Sequence, residues 1–236
     1  MSNVEWLTAR PIAHRGLHDL NRTRWENTLS AFQAAVDAGH SIECDVHLSS
    51  DGVPMVFHDH ALRRLTGQDG TIAAKTAAEL GALKVGETDD HVPTLQEMLR
   101  LVGGRAALVI ELKASEGHDA ALVERVAEAL KSYSGRVALM SFEHRLVRQL
   151  AELAPDLPRG LTAEGRSAAS MEAHFSMLAH EISFVSYAVS DLPNPFVSFV
   201  RERLSMPVIT WTVRDREAVT RTFAYADQMT YEGFSP

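Results

Sequence analysis

The stretch from 42 to 59, IECDVHLSSDGVPMVFHD, gathers residues able to do acid/base or metal chemistry. Glu43 and Asp45 stand two apart in an otherwise apolar run. That spacing puts both side chains on one face of a β-strand, with Ile42, Cys44 and Val46 facing a hydrophobic layer on the other side. Two ionised carboxylates ~5 Å apart repel by about 3 kcal/mol at an effective dielectric of ~20. Such a pair must share a proton, hold a cation or stay wet. Asp51-Gly52 predicts a tight hairpin turn. The return strand 54–57 then delivers His58 back to the carboxylates. The plain alternative is a half-buried hairpin with polar tips.

The elements that must position these groups follow from periodicity. Residues 11–16 predict a short first strand ending at Gly16, with His14 and Arg15 at its carboxyl end. Leu29, Phe32, Ala35 and Val36 recur at helical spacing after an N-cap at Asn27 or Thr28, and Gly39 stops that helix. Beyond the hairpin, 61–91 breaks the rhythm and predicts an insertion that caps a site mouth, without strand–helix units of its own. Pro93-Thr94-Leu95 opens a helix through 101. From there strands (106–113, 137–142, 159–161, 182–186, 207–213, 228–231) alternate with helices (120–133, 145–153, 168–180, 196–204, 216–225). Eight strands in β/α alternation imply a parallel sheet closed as a TIM (β/α)8 barrel. Residues 1–236 then form one barrel domain, with an insertion at about 59–92 after strand two. No helix follows the last strand, and 4–7 is the candidate to cover that flank.

The chain has 236 residues, enough for one large α/β domain or two small ones, and its 45% hydrophobic and 23% charged content is ordinary for a soluble globular protein. A formal charge of −8 with no basic run argues against nucleic acid and anionic membranes as partners. Cys44 is the lone cysteine, so no internal disulfide can form, and it reads as a packed apolar group. No apolar run is long enough for stable membrane insertion, and the first residues show no apolar signal core; a cytoplasmic location is expected. Oligomeric state has no signature in the sequence.

In a barrel of this kind the active site lies at the carboxyl ends of the strands. That rule gathers His14, Arg15, Glu43, Asp45, Glu111, Lys113 and Trp211. Glu111-x-Lys113 inside an apolar strand is costly to bury and hard to explain as packing. Glu43, Asp45 and Glu111 carry three negative charges against the two positive charges of Arg15 and Lys113. A divalent cation and a singly charged phosphodiester would bring the sum to zero. Three carboxylates suit one hard cation, Mg²⁺ or Ca²⁺, while zinc would draw on His14 and His58. The alternative is a closed salt-bridge network filling the barrel mouth, in which two histidines would be superfluous.

His14-Arg15-Gly16, Glu26-Asn27-Thr28, Glu43-x-Asp45, Asp51-Gly52 leading to His58-Asp59, Pro93-Thr94-Leu95, Glu111-x-Lys113 and the late Trp211-Thr212-Val213 together resemble the glycerophosphodiester phosphodiesterase family in order and spacing. The insertion, with Arg64-Leu65-Thr66-Gly67 and Ala78-Glu79-Leu80, is similar to that family's small subdomain. Departures are Trp25 where the family usually has Pro, Arg214 where it has Asn, His47 in the second strand, and a short tail after Tyr231. The resemblance implies hydrolysis of glycerophosphodiesters to glycerol 3-phosphate and an alcohol. Glu43, Asp45 and Glu111 then hold the metal, and Arg15 and Lys113 hold the phosphate. His14 and His58 form an acid/base pair. Trp211 either contacts the glycerol carbons or fills the core. Glu26 reads as an orienting group. Arg63 or Arg64 faces the incoming anion or is simply solvated. The remaining histidines, 18, 40, 60, 91, 118, 144, 174 and 180, read as solvated or locally bonded. A phospholipid-cleaving phosphodiesterase of related barrel type and a non-catalytic phosphate-ester binding protein are the competing readings.

Overall fold

The structure, a computed structural model, describes residues 4–115, 117 and 119–236. Eight parallel strands close on themselves: β1 (Ile12–Ala13), β2 (Ser41–Leu48), β4 (Leu108–Leu112), β5 (Val137–Ser141), β6 (Arg159–Ala163), β7 (Phe184–Ala188), β8 (Val208–Val213) and β9 (Gln228–Tyr231). Closure comes from β1, which pairs with β2 through Ile12↔Ser41 and with β9 through Ile12↔Thr230. The fold is the expected TIM barrel.

Local chemistry explains most of the helices. Thr28 caps α1 (Leu29–Asp37) by accepting from the Ala31 amide. Thr94 and Glu97 form a reciprocal capping box on α4 (Leu95–Val102), whose Leu95, Met98, Leu99 and Val102 are buried. Burying each such side chain is worth roughly 1.5–3 kcal/mol of transfer free energy. α5 (Leu122–Leu130) follows β4, α6 (His144–Leu153) follows β5, and α7 (Ala168–Ser176) follows β6. α8 (Pro195–Leu204) and α9 (Arg216–Tyr225) take their caps from Asn194 and Asp215. The stretch 177–180 continues α7 as a 3-10 turn, and Glu181 in a left-handed conformation delays β7 to Phe184, two residues beyond the expected start.

β1 is only two residues long, because Arg15 and Gly16 leave the strand at φ 54° and 81°. A side chain at Gly16 would meet the Ala31 backbone at 2.9 Å. The short β1 leaves the upper edge of β2 free, and the hairpin strand β3 (Pro54–Val56) pairs there antiparallel, Val46↔Val56 to Leu48↔Pro54. The Phe57 amide then donates to the Asp45 carbonyl at 3.0 Å, which sets His58 beside Asp45.

The N-terminal turn behaves differently from expectation. Val4 and Leu7 pack with Ile12, Val109, Ala138, Met140, Phe184 and Ile209, the inward side chains of the barrel. They plug its amino-terminal end, because those apolar groups would otherwise face water there. The flank of β9 is covered by the tail: Phe234 packs edge-to-face on Tyr231 with ring centroids 5.5 Å apart. Inside the barrel, Phe184 fits because β6 offers Gly160, where a Cβ would sit 2.3 Å from the ring.

The segment 59–92 contains two short helices, α2 (Arg63–Thr66) and α3 (Ala77–Gly81). Leu62, Leu65, Ile72, Leu80 and Val85 pack on Met55, Phe57 and Val92 in a cluster of their own. Among the described residues no helix is long and apolar enough to cross a membrane.

Candidate active site

The carboxyl ends of the strands surround a cleft of about 330 Å³ lined by His14, Arg15, Glu43, Asp45, His58, Glu111, Lys113 and Trp211, among others. All eight residues singled out from the sequence therefore meet in one place. β2 carries Glu43 and Asp45 inward, and the register Asp45↔Glu111 puts the third carboxylate on the neighbouring strand at the same height. Oxygens of Glu43, Asp45 and Glu111 lie within 4.8 Å of one another, and all three side chains are buried.

Around this cluster the cations are fixed. Lys113 Nζ lies 3.1 Å from Asp45 Oδ1 and 2.5 Å from Glu111 Oε1. Arg15 Nε is 3.4 Å from Asp45 Oδ2, and Nη1 donates to Glu26 Oε1 at 2.6 Å. The Arg15 amide donates to Glu43 Oε2 at 2.9 Å. Arg15 and Asn27 both adopt left-handed backbones, each a cost of about 1–3 kcal/mol. They brace each other, since the Asn27 amide donates to the Arg15 carbonyl at 2.8 Å. The Asn27 side chain donates to Asp45 Oδ2 at 2.9 Å, so Asn27 orients a carboxylate while Thr28 does the capping.

The electrostatics divide the three acids. Burial pushes Glu43 well above the usual carboxylate range, and the charges of Asp45 and Glu111 add to it. Burial also raises Glu111, to about 7, against the pull of Lys113. For Asp45 burial is outweighed by Lys113 and Arg15, which hold it well below the usual range. A site with one strong and two weakened acids, short of positive charge by one when all three ionise, has the donor set for a divalent cation: hard oxygens, close together and buried.

Both histidines are held by their inner nitrogen. His58 Nδ1 lies 2.7 Å from Asp59 Oδ1, and Asp59 in turn accepts from Arg64 Nε at 2.6 Å. His14 Nδ1 lies 2.5 Å from Glu232 Oε2, and Glu232 Oε1 accepts from Arg214 Nε at 2.8 Å. His14 Nε2 points toward the cluster, 3.9 Å from Glu43 Oε2. Burial lowers both imidazoles below their ordinary value.

Trp211 lies half-buried on the cleft wall, edge-to-face with Phe142 at 5.2 Å, and belongs to no core cluster. Glu26 bridges Arg15 and Arg64, and Arg64 also holds Asp59. Arg64 is thus committed to carboxylates, while Arg63 is exposed and pairs with Asp69. Among the described residues none between 61 and 91 lines the cleft; apolar packing draws that segment onto the side of the hairpin, and its link to the site is Arg64. His47 faces inward above Asp45: Nε2 donates to the His58 carbonyl at 3.0 Å, Nδ1 accepts from Ser115, and burial lowers it to about 4.

Among the other histidines, His18 and His174 are buried and locally bonded, the second of the two expected states. His18 Nε2 lies 3.6 Å from Glu232 Oε2, and His174 sits against Tyr187 and Phe196. His118 lies outside the described residues. Glu232, Asn27 and Asp59 are site residues that the sequence reading did not single out as such. Asp59 follows His58 directly and Asn27 falls inside a quoted stretch, so adjacency could have flagged both. Glu232 is 218 residues from its partner and carries no local signal.

The model of the glycerophosphoryl diester phosphodiesterase family matches residues 14–233. A glycerophosphodiester phosphodiesterase of Caldanaerobacter subterraneus subsp. tengcongensis is 35% identical over 160 residues, covering 64% of this chain and 65% of that protein, just under two thirds of its length. An Oleispira antarctica phosphodiesterase in complex with the product sn-glycerol-3-phosphate is similar in structure at a TM-score of 0.83, with 25% identity over 96% of this chain and 94% of that one. A glycerophosphodiester phosphodiesterase from Thermotoga maritima matches at a TM-score of 0.76 and 27% identity, over 93% and 92% of the two chains. With the family's match running from the first site histidine to just past Glu232, on a barrel shared along nearly its whole length, the chain belongs to the glycerophosphoryl diester phosphodiesterase family.

Proposed function

We propose that this chain hydrolyses small glycerophosphodiesters to glycerol 3-phosphate and an alcohol. The observation that carries the reading is one cleft holding three clustered carboxylates, the cations Arg15 and Lys113, and two carboxylate-anchored histidines. Glu43, Asp45 and Glu111 would hold one divalent cation, Mg²⁺ or Ca²⁺. Bound there, it would polarise a phosphoryl oxygen and offset charge in the transition state. Arg15 and Lys113 bind the phosphate, Arg15 with its planar fork steadied by Glu26. One histidine takes the proton of the attacking hydroxyl as the new P–O bond forms. The other gives a proton to the alcohol oxygen as the old P–O bond breaks. His14 and His58 suit this exchange because each has its Nδ1 occupied by a carboxylate and its Nε2 free to work. Trp211 and Phe142 offer an apolar wall to the carbon skeleton of the substrate.

In this reading residues 1–236 act as one catalytic unit in the cytoplasm, and segment 59–92 acts through Arg64 on Glu26 and Asp59. The test is release of glycerol 3-phosphate from glycerophosphocholine, with and without chelator, and with phospholipid vesicles in parallel. Turnover should require Mg²⁺ or Ca²⁺ and favour the soluble diester. No release with either cation would overturn the hydrolytic reading. Full activity in excess chelator, with no metal by elemental analysis, would overturn the metal's role.

A further inference from the structure

The two site histidines are anchored alike, yet only one anchor adjoins its histidine in the chain. Asp59 follows His58 directly. Glu232 reaches His14 from the end of the chain, just beyond β9. Its backbone is fixed on both sides of the barrel seam: the Glu232 amide donates to the Val213 carbonyl at 3.1 Å, and the His14 amide to the Tyr231 carbonyl at 3.0 Å. The Glu232 side chain is 10% exposed and does not line the cleft. It contributes no oxygen to the carboxylate cluster. All its polar contacts run sideways, to His14 Nδ1 at 2.5 Å, His18 Nε2 at 3.6 Å and Arg214 Nε at 2.8 Å. His18 is itself oriented, since its Nδ1 accepts from the Leu20 amide at 3.2 Å and leaves Nε2 to face Glu232.

We propose that Glu232, held by Arg214, is the positioning residue for His14. It accepts the Nδ1–H, which selects the tautomer with a lone pair on Nε2 and points that nitrogen at the carboxylate cluster. The inference rests on the catalytic reading of His14 given above. Without Glu232 the ring is free to turn about its side-chain bonds and to carry its proton on either nitrogen. The His14 arm then matches the His58–Asp59–Arg64 arm, each an arginine, a carboxylate and an imidazole in line.

The experiment pairs kinetics with NMR on the full chain. Glu232→Gln and Glu232→Ala should lower kcat by ~10²–10³ while KM changes less than about threefold, since the Glu232 side chain does not itself line the cleft. In a His14→Ala background, Glu232→Gln should cause no further loss, because both changes disable the same arm. The native protein should show a strongly hydrogen-bonded imidazole N–H proton assigned to His14 Nδ1. That signal should vanish in Glu232→Ala and move to the position of a weaker hydrogen bond in Glu232→Gln, whose neutral amide oxygen still accepts, while the remaining spectrum stays native. Native kcat in folded Glu232→Gln and Glu232→Ala, an additive loss on top of His14→Ala, or absence of the Nδ1–H signal in the native protein would overturn the proposal. An active His14→Ala enzyme with the Nδ1–H signal present in the native chain would instead overturn the catalytic reading of His14 and leave the positioning contact standing.

Discussion

Lys113→Met is the sharpest perturbation of the metal reading, because Lys113 sits between two of the proposed ligands. Its Nζ bridges Asp45 and Glu111 at 3.1 and 2.5 Å, and its side chain is 18% exposed. Removing it leaves three buried carboxylates facing Arg15 alone. Stranding one side of a buried ion pair costs roughly 3–5 kcal/mol. Glu43 and Glu111 already hold protons more tightly than ordinary carboxylates, so they relieve part of the stress and the cost falls near ~3 kcal/mol. For a chain of this size each kcal/mol moves Tm by about 2–4 °C, so the variant in chelator should melt roughly 6–12 °C below native. A divalent cation at a hundredfold excess over its Kd stabilises by about 2.7 kcal/mol, enough to restore most of that loss. The native protein should gain less, because Lys113 repels the cation. The pH dependence follows from the raised acids. A carboxylate with its folded pKa above its unfolded one destabilises the fold as pH rises between the two, from about 4.5 to about 7 for Glu111. In chelator the variant should therefore be more stable at pH 6 than at pH 8, and its gain from cation should be larger at pH 8. Thermal unfolding followed by circular dichroism, in chelator and in Mg²⁺ or Ca²⁺, reads all of this. Equal melting of Lys113→Met with and without cation, with the native protein equally indifferent, would refute a cation among these carboxylates.

Further outcomes follow from the same geometry. His14→Ala and His58→Ala should each lower turnover by at least ~10² with a near-native melting curve; a native rate in either removes that histidine from the acid/base pair. Burial opposes ionisation of Glu26, but Arg64 and Arg15 hold it down to about 2 against an ordinary 4.5. Its contribution, about 2 kcal/mol once screening at half-exposed Arg64 is discounted, is present above pH 4.5 and lost as pH falls toward 2. Urea denaturation across that window should show a shallower loss in Arg64→Ala, and an unchanged slope would count against the pairing. Gly160→Ala forces a methyl against the Phe184 ring at 2.3 Å and should cost about 1–3 kcal/mol in urea; a native midpoint would mean the ring has room to move.

The order and type of the barrel elements were legible because side-chain periodicity and capping residues such as Thr28 and Thr94 act within a few positions. Glu43-x-Asp45 and Glu111-x-Lys113 announced themselves because charge in an apolar strand has no cheap structural explanation. The hairpin was legible too, since Asp51-Gly52 is a local turn signal. Tertiary structure alone decided which distant groups meet. That Val4 and Leu7 plug the barrel, rather than cover its last flank, depends on which apolar cluster they reach. That segment 59–92 lies on the hairpin, and touches the site through Arg64, depends on where its small core finds partners. That Glu232 meets His14 depends on closure of β9 onto β1, a pairing between the two ends of the chain. Short-range preferences are written in neighbouring residues, but a contact across the seam of a closed barrel exists only once every strand between has taken its place.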